Sequence, residues 1–242
     1  MPLAWHWLSR PVDKRAQARK RCRLRAVTVT RTRTNLTYVS ALWLFAALAF
    51  LVCEAAAAAA VPAPGYSYTI NLISELGVPG RSPLSLVMNV GFLLQGLLFL
   101  AGAVLVTRVA ETGRRQLFLV LVSIYVLGVV LVAIFHGDSA LGGNYEGGAL
   151  HWLGALFAMV GGNAAIIAGS FVVAGLVTMR WYRAASIALG VAGLLSLLMI
   201  GNPAAQVTPG IWERGAVYTI LFWQIVTALL LFARSRSDTP SR

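Results

Sequence analysis

Six polar side chains at three places in the chain have the types that do chemistry together: Asn71, Ser74 and Glu75; Asp138 and His151; and Arg214. A serine with a histidine and an acid is the set for nucleophilic attack: Ser74 as nucleophile, His151 as base, Asp138 as its orienter. Alternatively, His151, Asp138 and Glu75 form a donor set for a metal that activates water, with Ser74 secondary. All six also suit a binding site for a lipid headgroup or small amphiphile, where both signs of charge meet a low-dielectric boundary. Each has a plainer role beside these. Ser74 and Glu75 can cap helix ends, Asp138 and His151 can form a structural pair, and Arg214 is expected to reach Glu75 or Asp138 across the fold.

The spacing of the first group predicts a short helix. Asn71, Ser74 and Glu75 stand at i, i+3 and i+4, so one face would carry all three. Ile70 and Ile73 would share another face, and Gly77 with Pro79 would end the helix. The second group flanks a glycine-rich stretch from His136 to Gly148 that carries Asp138 and Glu146. His151 follows in the first turn of the next helix, and hairpin geometry can bring His136, Asp138 and His151 together. The third group, Gly210-Ile211-Trp212-Glu213-Arg214, precedes the last apolar run.

The elements that must position these groups are set by composition. Of 242 residues, 58% are hydrophobic and only 12% charged, against about 25% charged in a soluble domain. Six apolar stretches approach the roughly 20 residues a bilayer requires. They run over 38–60, 83–109, 117–135, 150–178, 184–201 and 216–232. No period-2 alternation marks a barrel. The fold class is therefore all-α: an integral membrane bundle of six transmembrane helices. Residues 1–37 are expected to be a basic, disordered cytoplasmic arm, 38–233 the six-helix domain and 234–242 a cytoplasmic tail.

Arginine sets the expected orientation. With the N-terminus inside, 18 of the 20 Lys and Arg fall on the inner side, leaving Arg81 and Arg214 outside. That asymmetry predicts both termini in the cytoplasm and a multi-pass protein of the cell membrane. The outer side then holds Glu54, Glu75, Asp138, Glu146 and Glu213, five of the eight acids. The formal net charge of +12 is accounted for by attraction of the arm to anionic headgroups, and no nucleic-acid motif accompanies it. Cys22 and Cys53 lie at different depths and are not expected to pair.

Within the spans Gly154, Ala158 and Gly162 repeat every four residues, as do Gly161, Ala165 and Gly169. Small residues at that spacing bring a neighbouring backbone close, making the fourth helix a central element. Asn163 in that helix is expected to be interhelical glue. The spans show no charged residue at mid-depth, which argues against an ion-coupled transporter. No Cys-x-x-Cys, P-loop, Gly-x-Ser-x-Gly or paired haem histidines occur, and no cofactor or oligomeric state is assigned.

Three pieces carry a resemblance: Asn71-x-x-Ser74-x-Leu76-Gly77, the Asp138 loop followed by His151, and Gly210-x-Trp212-Glu213-Arg214. Over about residues 38–233 the chain resembles the prokaryotic family catalogued as domain of unknown function 998. The resemblance implies a six-helix membrane protein and lends no catalytic residue. Three functions are weighed: an outer-face binding protein for a lipid headgroup or small amphiphile, a membrane-embedded lipid hydrolase or metal-dependent enzyme acting at the outer leaflet, and a small-molecule transporter.

Overall fold

A computed structural model of the protein describes residues 14–110, 112–136, 148–177, 179–205 and 207–237, with side chains from residue 30 onward. Six helices follow one another: α1 (Lys14–Ala59), α2 (Ser85–Thr107), α3 (Arg115–Ile134), α4 (Gly148–Val173), α5 (Tyr182–Ile200) and α6 (Pro209–Ser237). Each contains a stretch long and apolar enough to cross a membrane, and no strand occurs among the described residues. The protein is a multi-pass, all-helical membrane protein. The six runs read from hydropathy correspond one to one with these helices.

The first helix is longer than expected. It begins at Lys14 and continues without a break into the span, where the sequence predicted a disordered arm. The early residues of α1 are mostly Arg, Lys, Ala, Gln and Leu, which are good helix formers. Growing an existing helix also avoids the cost of nucleating a new one. At 1.5 Å per residue, the turns before the span extend the helix by roughly 24 Å.

Consecutive helices pack as antiparallel neighbours, and α6 closes the ring against α1. The fifth helix lies on the outside, touching α4 and α6. Helix α4 is the most deeply buried of the six spans, as its small-residue pattern predicted. It lies along α3 at Gly154, where an added methyl would sit 2.6 Å from Leu131 Cβ and 2.9 Å from the Gly128 carbonyl oxygen. Asn163 is the expected glue: its amide nitrogen donates to the Met159 and Ala216 carbonyls (both 2.8 Å), and its oxygen accepts from Thr219 Oγ1. Two helices are thereby tied in a medium that offers no competing water.

The middle of the bundle is aromatic. Trp43, Phe99, Phe118, Tyr125 and Trp223 pack ring against ring at centroid distances between 5.3 and 6.4 Å. Edge-to-face contacts of this kind add to simple burial. The two indoles satisfy their N–H groups on the Phe99 carbonyl (3.1 Å) and Ser186 Oγ (3.0 Å). Beside them Gln95 joins three helices: it donates to Gln224 Oε1 at 2.8 Å and accepts from the Tyr125 hydroxyl.

Candidate functional site

The segment 61–84 folds over the end of the bundle opposite the chain termini, here the distal end. It holds no long helix. A 3-10 turn over Ile73–Gly77 packs on α1, α2 and α6. The turn starts three residues later than Ile70, so the two isoleucines part: Ile70 is 57% exposed and Ile73 1%. The shared apolar face expected for them is corrected accordingly. Asn71 and Glu75 do meet, with Asn71 Nδ2 donating to Glu75 Oε2 at 3.1 Å.

Arg214 is where the segment is fastened. Its Nε and Nη2 donate to Glu54 Oε1 at 3.1 and 2.9 Å. Its Nη1 donates to the carbonyls of Tyr68, Asn71 and Gly210 at 2.7, 3.0 and 3.0 Å, and Nη2 also reaches the Tyr66 hydroxyl at 2.6 Å. The Tyr66 hydroxyl in turn donates to the Leu72 carbonyl at 2.8 Å, and the Tyr218 hydroxyl donates to Glu54 Oε2 at 2.8 Å. Burial raises the pKa of Tyr66 well above the ordinary tyrosine value, more than the adjacent guanidinium lowers it, so this hydroxyl keeps its proton and serves both bonds.

This corrects the expected partner of Arg214. The ion pair is with Glu54, and Glu75 instead pairs with Arg81 at 3.2 Å. Closure of the ring places α1 beside α6, which brings Glu54 to Arg214 within the bundle. Glu75 lies above, and a partner six residues away costs little chain entropy to reach. The same contact puts charge inside the bundle, five residues from the distal ends of α1 and α6 and short of mid-depth. Glu54 and Arg214 lie inside α1 and α6, with side chains 1% and 8% exposed.

Glu213, the neighbour of Arg214, points the other way. Its carboxyl group accepts the backbone amides of Ile73 and Ser74, the latter at 3.4 Å. It thereby fixes the start of the 3-10 turn, whose N-terminal residue Leu72 supplies no side-chain cap. Beneath this junction lies a chamber of about 40 Å³. Ser74 and Glu213 stand in its wall with Phe50, Phe92, Val217 and Ile220, and Tyr125 connects it to the Gln95–Gln224 pair. The Ser74 hydroxyl has no hydrogen-bond partner among the described residues.

His151 occupies the first turn of α4, as expected, and its Nδ1 pairs with the Phe135 carbonyl oxygen at 2.8 Å. That bond joins the ends of α3 and α4. His136 Nε2 lies 3.4 Å from Asn89 Nδ2, which also donates to the Gly77 carbonyl at 2.9 Å. Asp138 lies outside the described residues, so its relation to His151 is not placed. The structure therefore places Asn71, Ser74, Glu75 and Arg214 at the same distal end of the bundle, with only Ser74 among them in the chamber wall. Within the described residues Ser74 and His151 share no hydrogen bond, and no three His, Cys, Asp or Glu side chains cluster as a metal site.

The sequence reading left four residues out of the candidate set: Glu54, Glu213, Tyr66 and Tyr218. A signal for the first was present. An acid inside an apolar run is costly unless paired, so Glu54 implied a cation at the same depth. The two tyrosines carry no such signal, because their partners are set only when the segment folds back.

The family model described as "Protein of unknown function (DUF998)" matches residues 25–230 of the chain. No curated protein and no solved structure matches it.

Proposed function

The chain belongs to the DUF998 family, and we propose that it binds a small amphiphile at the distal end, with a hydrogen-bond-donating head against Glu213 and Ser74 and its apolar part in the chamber below. One observation carries this reading. An uncommitted hydroxyl and a buried carboxyl share the wall of a chamber otherwise lined mainly by Phe, Val and Ile side chains. Few placed polar groups in an apolar wall are the usual composition of a ligand site. The volume suits a group of a few heavy atoms, such as an alcohol or amine on a short stem, since a water molecule alone needs roughly 10–15 Å³ by a comparable measure. Arg214 does not serve as a headgroup receptor in this reading, because its donors are engaged by the protein. Binding is favoured over hydrolysis because Ser74 and His151 share no hydrogen bond among the described residues.

Native mass spectrometry of the purified chain tests this. A retained small adduct is expected on the wild type. Val217→Trp, which fills the chamber, should abolish it. Ser74→Ala should weaken it about tenfold, the effect of losing one hydrogen bond of about 1.4 kcal/mol. An adduct indifferent to Val217→Trp would refute the reading.

In the same proposal the distal end faces outward, the termini lie in the cytoplasm of a cell whose plasma membrane holds the protein, and residues 14–33 lie by an anionic leaflet. With Cys22 and Cys53 replaced by Ala, a Thr69→Cys variant should react with a membrane-impermeant maleimide on intact cells. Ser237→Cys should react only after lysis. The opposite pattern would reverse the orientation.

A further inference from the structure

The end of the bundle that carries the termini holds a second constellation, independent of the chamber. Phe171 lies in the last turn of α4. The Arg114 guanidinium stacks over its ring with Cζ 3.9 Å from the centroid, and the Arg183 guanidinium approaches the same ring at 5.5 Å. Arg114 precedes α3 and Arg183 lies in the first turn of α5, so three helices place two cations on one aromatic side chain. Like charges repel, and an exposed ring face offsets that repulsion only in part. Both arginines are exposed, and neither has a carboxylate partner among the described residues. Arg115 adjoins Arg114 in the chain, and Arg180 lies three residues before Arg183. By contrast, each distal arginine, Arg81 and Arg214, has its own glutamate.

We propose that Arg114, Arg183 and Phe171 form a specific site for the phosphate of an anionic phospholipid, seated where the ends of α3, α4 and α5 meet. The two guanidinium groups present forks of N–H donors that match phosphate oxygens, and stacking on Phe171 holds Arg114 in position before the lipid arrives. Trp181, 53% exposed immediately before α5, is the residue type that settles at headgroup depth, and this puts the arginine pair at the level of lipid phosphates. The neighbouring helix starts add donors of the right sign. Neither α3 nor α5 has a side-chain cap or an acid in its first turn. The lipid's acyl chains would lie along the exposed flank of α5.

The test uses the full chain in neutral detergent, titrated with phosphatidylglycerol or phosphatidylcholine and read by native mass spectrometry. Phosphatidylglycerol is expected to give a one-to-one adduct that phosphatidylcholine does not. Arg114→Gln with Arg183→Gln should weaken it roughly 30-fold, taking about 1 kcal/mol for each basic residue at the surface. Arg234→Gln with Arg236→Gln removes the same formal charge from the end of α6 and should leave the adduct within about twofold, a change under 0.5 kcal/mol. Phe171→Leu keeps every charge and should still weaken the adduct several-fold. Equal losses in the two arginine doubles would mean diffuse attraction and overturn the site. So would an adduct unaffected by Phe171→Leu, or equal retention of phosphatidylcholine. None of these results depends on what the distal chamber binds.

Discussion

Arg214→Met is expected to lower stability by about 3–5 kcal/mol, because it leaves Glu54 buried without its cation. Glu54 keeps only the Tyr218 hydroxyl as a donor, and the carbonyls of Tyr68, Asn71 and Gly210 lose the guanidinium donor together. In detergent the melting temperature should fall by about 10 °C or more. The double variant Glu54→Met with Arg214→Met should recover part of that loss, since removing both charges leaves neither stranded. It should not recover all of it, because the Tyr68 carbonyl loses its guanidinium donor and the Asn71 carbonyl keeps only the longer bond from the Tyr66 hydroxyl (3.3 Å). Arg81→Met is the comparison. Its pair with Glu75 is part-exposed, and a pair of that kind contributes about 0–1 kcal/mol. Equal melting temperatures for Arg214→Met and Arg81→Met would remove Arg214 as the fastening of the distal segment.

Gly128→Leu is expected to prevent assembly of the bundle rather than merely soften it. A β-carbon at Gly128 would overlap the Ala158 amide nitrogen and lie 2.6 Å from the Gly154 carbonyl oxygen and 2.8 Å from Ala158 Cα. All three are backbone atoms, so no rotamer change relieves the contact. Overpacking that side chains can absorb costs about 1–3 kcal/mol; here α3 and α4 must separate along their whole seam. The expected result is loss of the monodisperse peak on size-exclusion chromatography after extraction. Gly175→Ala, where an added methyl meets nothing within 4 Å, should elute like the wild type. A monodisperse Gly128→Leu protein with an unchanged melting point would show that the seam is looser than described.

The difference between what the residues foretold and what they did not follows distance along the chain. The six spans, the central fourth helix and the glue role of Asn163 rest on runs and periods that lie within one helix. Asn71 and Glu75 were expected to meet because four residues separate them. The partner of Arg214 was not readable in this way. Glu54 is 160 residues away, and their meeting depends on α6 returning to α1 rather than stopping at α5. The alanine run after Glu54 also made the acid look like the edge of a span. The role of Glu213 was hidden for another reason. It accepts backbone amides, which every residue possesses, so no partner residue type announces it. The glycine-rich stretch with Asp138 offered candidate chemistry in its residue types, but the described residues stop at His136 and resume at Gly148.

The fastening by Arg214 also bears on the geometry of the chamber wall. Tyr68, Asn71 and Gly210 share one guanidinium, so the segment and the start of α6 are coupled and shift as a unit. In the proposed reading this coupling holds Ser74 and Glu213 at a fixed spacing, because they stand on the two elements that Arg214 joins.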